Sequence, residues 1–92
     1  MTRDEFDQYI KPHLSGYVLS YSSFKGGDFG DIERVDLEGK SRIGGIDFWS
    51  EGWVGIHVVD LRIQEEVMNV MIGPDRVGEV PVIFDKLIKL LY

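Results

Sequence analysis

The chain has no cysteine among its 92 residues. That excludes a disulfide framework and any thiolate metal site, and it fits a reducing compartment. Histidine is almost as scarce, with only His13 and His57, and these have no paired spacing. A zinc site needs three or four convergent ligands, so no metal or other cofactor is expected. No apolar run approaches the ~20 residues of a membrane helix, and a membrane partner is not expected. The first residues, Met1-Thr2-Arg3-Asp4-Glu5-Phe6, lack the apolar core and cleavage site of a secretory signal, which leads us to expect a cytoplasmic protein. Basic residues are in deficit, 10 against 16 acidic, giving a net charge of −6 and a pI near 4.7. Clustered Lys and Arg supply most nucleic-acid affinity, so direct nucleic-acid binding is not expected; a basic protein surface is the complementary partner.

What the chain does have is 43% hydrophobic and 12% aromatic residues, enough for one core at this length. Residues 1–92 read as a single domain. The densest pattern is Arg42–Asp60, which holds both tryptophans. Two apolar, β-branched and aromatic runs flank Ser50-Glu51-Gly52, so this stretch predicts a β-hairpin with a tight, glycine-ended turn. A further strand is expected at Glu66–Ile72.

Before the hairpin, Thr2-Arg3-Asp4-Glu5 spells a capping box, with Met1 and Phe6 placed as a hydrophobic staple. Phe6, Ile10, His13 and Leu14 recur at helical spacing, which predicts helix over about 3–14 that stops or kinks near Lys11 because of Pro12. Tyr17–Phe24 alternates with period two and reads as a strand, Tyr17, Leu19 and Tyr21 sharing a face. Lys25–Asp31 holds three glycines and two aspartates and reads as a surface loop. A polar strand is expected at Ile32–Leu37, at a sheet edge on account of its charges, ended by a turn at Glu38-Gly39-Lys40. After turn chemistry at Gly73–Gly78, Pro81 suits the first turn of a closing helix whose apolar face is Ile83, Phe84, Leu87, Ile88 and Leu91. Contiguous strands between terminal helices predict an α+β fold: an antiparallel meander of about five strands, with an N-terminal and a C-terminal helix packed on one face.

No catalytic motif stands out. Asp28-Phe29-Gly30 spells the magnesium-binding tripeptide of protein kinases, but the companion motifs and the necessary length are missing. Gly26-Gly27-Asp28 lacks the following Lys and Ser/Thr of a phosphate cradle and reads as a turn. No serine sits in a nucleophile elbow, and Glu65 and Glu66 point to opposite faces of one strand. Enzymatic activity is therefore not expected.

Two features point toward binding. Asp28, Asp31, Glu33, Asp36 and Glu38 put five acids into eleven residues, either as a solvated loop and strand or as an acidic face for a basic partner. Trp49 and Trp53 flank the hairpin turn, where tryptophan serves either the core or an exposed hot spot.

Gly45-Ile46-Asp47-Phe48-Trp49-Ser50-Glu51-Gly52, the Val-rich run ending Val59-Asp60, and Glu65-Glu66-Val67-Met68-Asn69-Val70 resemble small bacterial immunity proteins of contact-dependent growth inhibition and related polymorphic toxin systems. The resemblance spans residues 44–72. It implies stoichiometric neutralisation of a cognate toxin, with a nuclease as the expected target because its active site is basic. Two alternatives stand beside it: a small ligand-binding or enzyme domain, and a self-associating structural or adaptor subunit.

Overall fold

The computed structural model describes all residues, Met1–Tyr92. Helix α1 (Arg3–Tyr9) is followed by strands β1 (Val18–Gly27), β2 (Gly30–Gly39), β3 (Arg42–Trp49), β4 (Val54–Asp60) and β5 (Glu65–Ile72), then helix α2 (Val80–Leu91). The strands form one antiparallel sheet in the order β1-β2-β3-β4-β5. Both helices pack on one face, giving the expected α+β meander in two layers. Neither helix is long and apolar enough to cross a membrane.

The capping box forms as the sequence predicts, with the Glu5 amide donating to Thr2 Oγ1 at 3.3 Å and the Thr2 amide to Glu5 Oε1 at 3.1 Å. Pro12 then shortens the helix more than expected. The α-geometry stops at Tyr9 and a 3₁₀ turn covers Lys11–His13. The tighter turn rotates His13 off the apolar stripe and into solvent, while Leu14 is buried.

Two loops are shorter than expected. β1 runs through Gly27 and β2 begins at Gly30, so only Asp28 and Phe29 bridge the strands; Gly26 and Gly30 take φ of 78° and 93°, the left-handed conformation such a tight return requires. β2 likewise continues through Gly39, and its turn is Lys40-Ser41, both at positive φ (49° and 61°). That is a type I′ turn built without glycine or asparagine. The edge position expected for Ile32–Leu37 is also wrong. β2 lies between β1 and β3, and the edges are β1 and β5. Its charges are tolerated inside the sheet because Arg34 and Asp36 alternate with the buried Val35 and Leu37 onto a solvated face, while Glu33 on the helix side stays exposed beside Arg3.

All the apolar core lies between the sheet and the helices. Val35, Leu37, Ile46, Phe48, Val54, Ile56, Val58 and Ile72 face Phe6, Ile10 and Leu14 from the N-terminal segment and Val80, Phe84, Leu87 and Leu91 from α2. Three phenyl rings meet at its centre: Phe6 lies 5.9 Å from Phe48 and 6.4 Å from Phe84, and Phe48 stacks on Phe84 at 6.3 Å. Two tyrosines, Tyr17 just before β1 and Tyr21 within it, fasten the helices to the sheet. Tyr21 donates to Asp7 of α1 at 2.8 Å, and Tyr17 to the Leu91 carbonyl at the end of α2 at 2.7 Å.

Asp60, at the end of β4, is the one buried charged side chain. It accepts from Arg62 Nη2 at 2.9 Å, Nε at 3.2 Å and the Arg62 amide at 3.0 Å, with Arg42 Nε 3.8 Å away. The Arg62 side chain first, then the Arg62 amide, hold the Asp60 carboxyl down at about 2. A folded value below the unfolded one, about 4, stabilises the fold fully above pH ~4, and the contribution is lost as pH falls through ~2. Denaturant midpoints across pH are therefore expected to decline between pH ~4 and ~2 in the wild type. Asp60→Asn should lower stability at neutral pH and flatten that part of the profile.

Candidate protein-binding face

With both helices on one side, the other face of the sheet has no covering layer. The strand register lays its residues out in rows. The first is apolar: Phe24, Ile32 and Trp49 across β1, β2 and β3. The second runs Ser22, Arg34, Asp47, Gly55 and Met71. The third is Ser20, Asp36, Gly45, His57 and Asn69, and the fourth is Val18, Glu38, Ile43, Val59 and Glu66.

At the apolar end two turns are tied together. The Ser50 amide donates to the Asp31 carbonyl at 2.8 Å, the Asp31 amide to Ser50 Oγ at 2.9 Å, and the Glu51 amide to the Phe29 carbonyl at 3.3 Å. This brings the Phe29 ring between the tryptophans. It stacks on Trp53 at 4.6 Å between centroids and 23° between planes, and meets Trp49 edge-on at 6.1 Å. Glycines provide the seats: a Cβ on Gly55 would lie 3.1 Å from the Trp49 ring, and one on Gly73 would lie 3.3 Å from that of Trp53. Both tryptophans are half-buried. Phe24 (46%), Phe29 (36%) and Met71 (45%) leave large apolar area open beside them.

The second row closes this patch with an ion pair. Arg34 Nε and Nη2 donate to Asp47 at 2.6 and 3.2 Å, and the guanidinium lies 4.9 Å above the Phe24 ring. The hydrogen bond to Asp47 holds Arg34 more firmly protonated than usual. In the third row, Gly45 leaves room for side chains from both neighbouring strands. Its missing Cβ would fall 2.8 Å from His57 Cε1 and 3.4 Å from Asp36 Oδ1. Over it lies a shallow depression of about 370 Å³, lined by Ser20, Asp36, Glu38, Ile43, His57 and Val59 among others. No group of three or more His, Asp or Glu is placed to hold a metal ion.

The five acids do not share one face. Asp36 and Glu38 lie on the open face and take part in no ion pair. Glu33 projects to the helix side, where it accepts from Ser23 at 2.8 Å and pairs with Arg3 at 3.6 Å. Asp31 accepts from the Gly26 amide at 3.1 Å and shapes the β1–β2 return. Asp28 stands exposed in that turn. Trp49 and Trp53 come together as part of one cluster. Phe29, Phe24, Met71 and His57 were missed as members of this surface. Phe29 was hidden in a kinase-like tripeptide read as loop, and the strand alternation that places Phe24 on the open face was its only sequence signal. No protein-family model, curated protein or solved structure matches the chain.

Proposed function

We propose that the protein acts by binding rather than catalysis, as an immunity protein that neutralises a cognate toxin in the cytoplasm by covering a basic surface at or near its active site. The observation that carries this reading is the uncovered sheet face. It combines a Phe29–Trp49–Trp53 cluster with two unpaired carboxylates, Asp36 and Glu38, in a chain of net charge −6. Aromatic anchors with unpaired carboxylates further along the same face suit a high-affinity interface: the anchors supply binding energy, and the acids speed encounter and select a basic partner. The resemblance of residues 44–72 to polymorphic-toxin immunity proteins names the partner class, and a nuclease is the toxin whose own site is basic.

The test is co-expression with the protein encoded immediately upstream. Growth arrest by that protein alone, rescue by the pair and a complex holding the two proteins in equal number are expected; an upstream product that neither arrests growth nor binds removes the reading. In that complex, Asp36→Lys with Glu38→Lys should slow association about tenfold or more at low salt, with the difference shrinking as salt rises. Stopped-flow association rates measure it.

A further inference from the structure

A meander leaves two edges, each offering a row of unpaired backbone N–H and C=O groups. The β5 edge is defended. It begins with Glu65 and Glu66, and its pairing with β4 is interrupted by a bulge at Val58/Val59. The β1 edge has neither device over Val18–Phe24. Leu14 to Phe24 is the longest stretch of the chain without a charged residue or proline, and the irregularity in β1 pairing begins only after Phe24. In a chain of net charge −6, this is the edge at which like-charge repulsion between two copies is weakest.

We propose that the protein forms a two-fold symmetric dimer in solution by antiparallel pairing of β1 with β1 of a second copy, centred on Tyr21. This goes beyond the toxin-binding reading and does not depend on it. The register follows from the side chains. Centring on Tyr21 sets Val18 opposite the second copy's Phe24, twice by symmetry, and Ser20 opposite its Ser22. Val18 (70% exposed) and Phe24 (46%) are thereby covered on the open face. A shift of two residues either way sets Phe24 against Gly16 or Ser20 and Val18 against Ser22 or Gly26, and loses both apolar pairs. Cross-strand apolar pairs of this kind are the unit that selects a register.

On the helix side the same centre carries charges of both signs. Around each Tyr21 ring sit the Arg3 guanidinium at 5.3 Å and the Lys11 ammonium at 5.9 Å, with Asp7 accepting from the hydroxyl at 2.8 Å. Each copy therefore brings charge of both signs to the two-fold axis, with no excess of acid there. The product is a ten-stranded sheet with both open faces on one side and a Phe29–Trp49–Trp53 cluster near each end. Both clusters stay free, so a bound toxin would be held two to two.

Sedimentation velocity of the wild-type protein over rising concentration tests the proposal. A monomer–dimer equilibrium is expected, and a monomer persisting to about 1 mM overturns it. Val18→Lys with Phe24→Lys puts like charges opposite each other twice and should raise the dissociation constant about tenfold or more. Mixing that variant with Val18→Glu/Phe24→Glu should restore a mixed dimer. A dimer unaffected by these changes would place the interface elsewhere and overturn the proposal. Hydrogen exchange on the wild type needs no variant: amide protection in 18–24 that rises with concentration is expected, and protection that stays constant while the dimer forms overturns the β1 interface.

Discussion

Phe6→Ala is expected to destabilise the protein by about 3–5 kcal/mol, the largest effect of any single truncation in the core. Phe6 is fully buried, with the rings of Phe48 and Phe84 at 5.9 and 6.4 Å. α1 has only seven residues, too few to be helical alone, so it persists because Phe6, Ile10 and Leu14 dock it on the sheet. Removing the ring leaves a cavity between sheet and α2 and also undocks the first helix, and both costs fall on the same residue. A domain of this size has about 5–15 kcal/mol in total. The loss should therefore lower the melting temperature by 10 °C or more, at about 4–8 °C per kcal/mol. Urea unfolding followed by tryptophan fluorescence measures it, and Ile10→Val provides the contrast at about 0.5–1.5 kcal/mol. A loss below ~1 kcal/mol for Phe6→Ala would mean that α1 contributes nothing to the fold.

The sheet and the two helices were readable because their signals are local: a capping box at Thr2–Glu5, period-two alternation around Tyr17–Tyr21, and a broad apolar stripe from Ile83 to Leu91. Strand order was not local. The charges of β2 resemble an edge, yet a meander puts the second strand inside, where Arg34, Asp36 and Glu38 meet the uncovered face and Glu33 meets Arg3 on the other. The Lys40-Ser41 turn gave no signal, since neither residue is one that positive φ favours, and the hairpin around it is imposed by the pairing of β2 with β3. Parity explains the acids. Asp31 and Glu33 fall on odd positions of β2, Asp36 and Glu38 on even ones, so a continuous strand from Gly30 to Gly39 sends the two pairs to opposite faces. A cluster in sequence becomes two clusters in space. Phe29 required the contact between two turns that lie twenty residues apart along the chain, and no periodicity carries that information.

Under the proposed toxin-neutralising role, Phe29→Ala is expected to abolish most binding of the partner while leaving the fold nearly intact, and it separates anchor from core better than either tryptophan does. Trp49 and Trp53 each have a structural share: one ring covers Gly55 of β4, the other packs by Gly73 where β5 ends. Their truncation should cost about 1–2 kcal/mol of stability, partway between surface and core values. Phe29 belongs to a two-residue turn and touches no core residue of the helix side; its ring holds the tryptophans in one arrangement. Without it, each tryptophan gains rotameric freedom that binding must then remove, and the central aromatic contact is missing as well. A loss of about 2–4 kcal/mol in binding follows, some 30- to 1,000-fold in the dissociation constant. Calorimetric titration against the protein encoded upstream, beside a denaturation curve for the same variant, reads both quantities. Binding unchanged in Phe29→Ala and in both tryptophan variants would move the proposed interface off the open face, whereas binding lost only in step with stability would make the cluster part of the core.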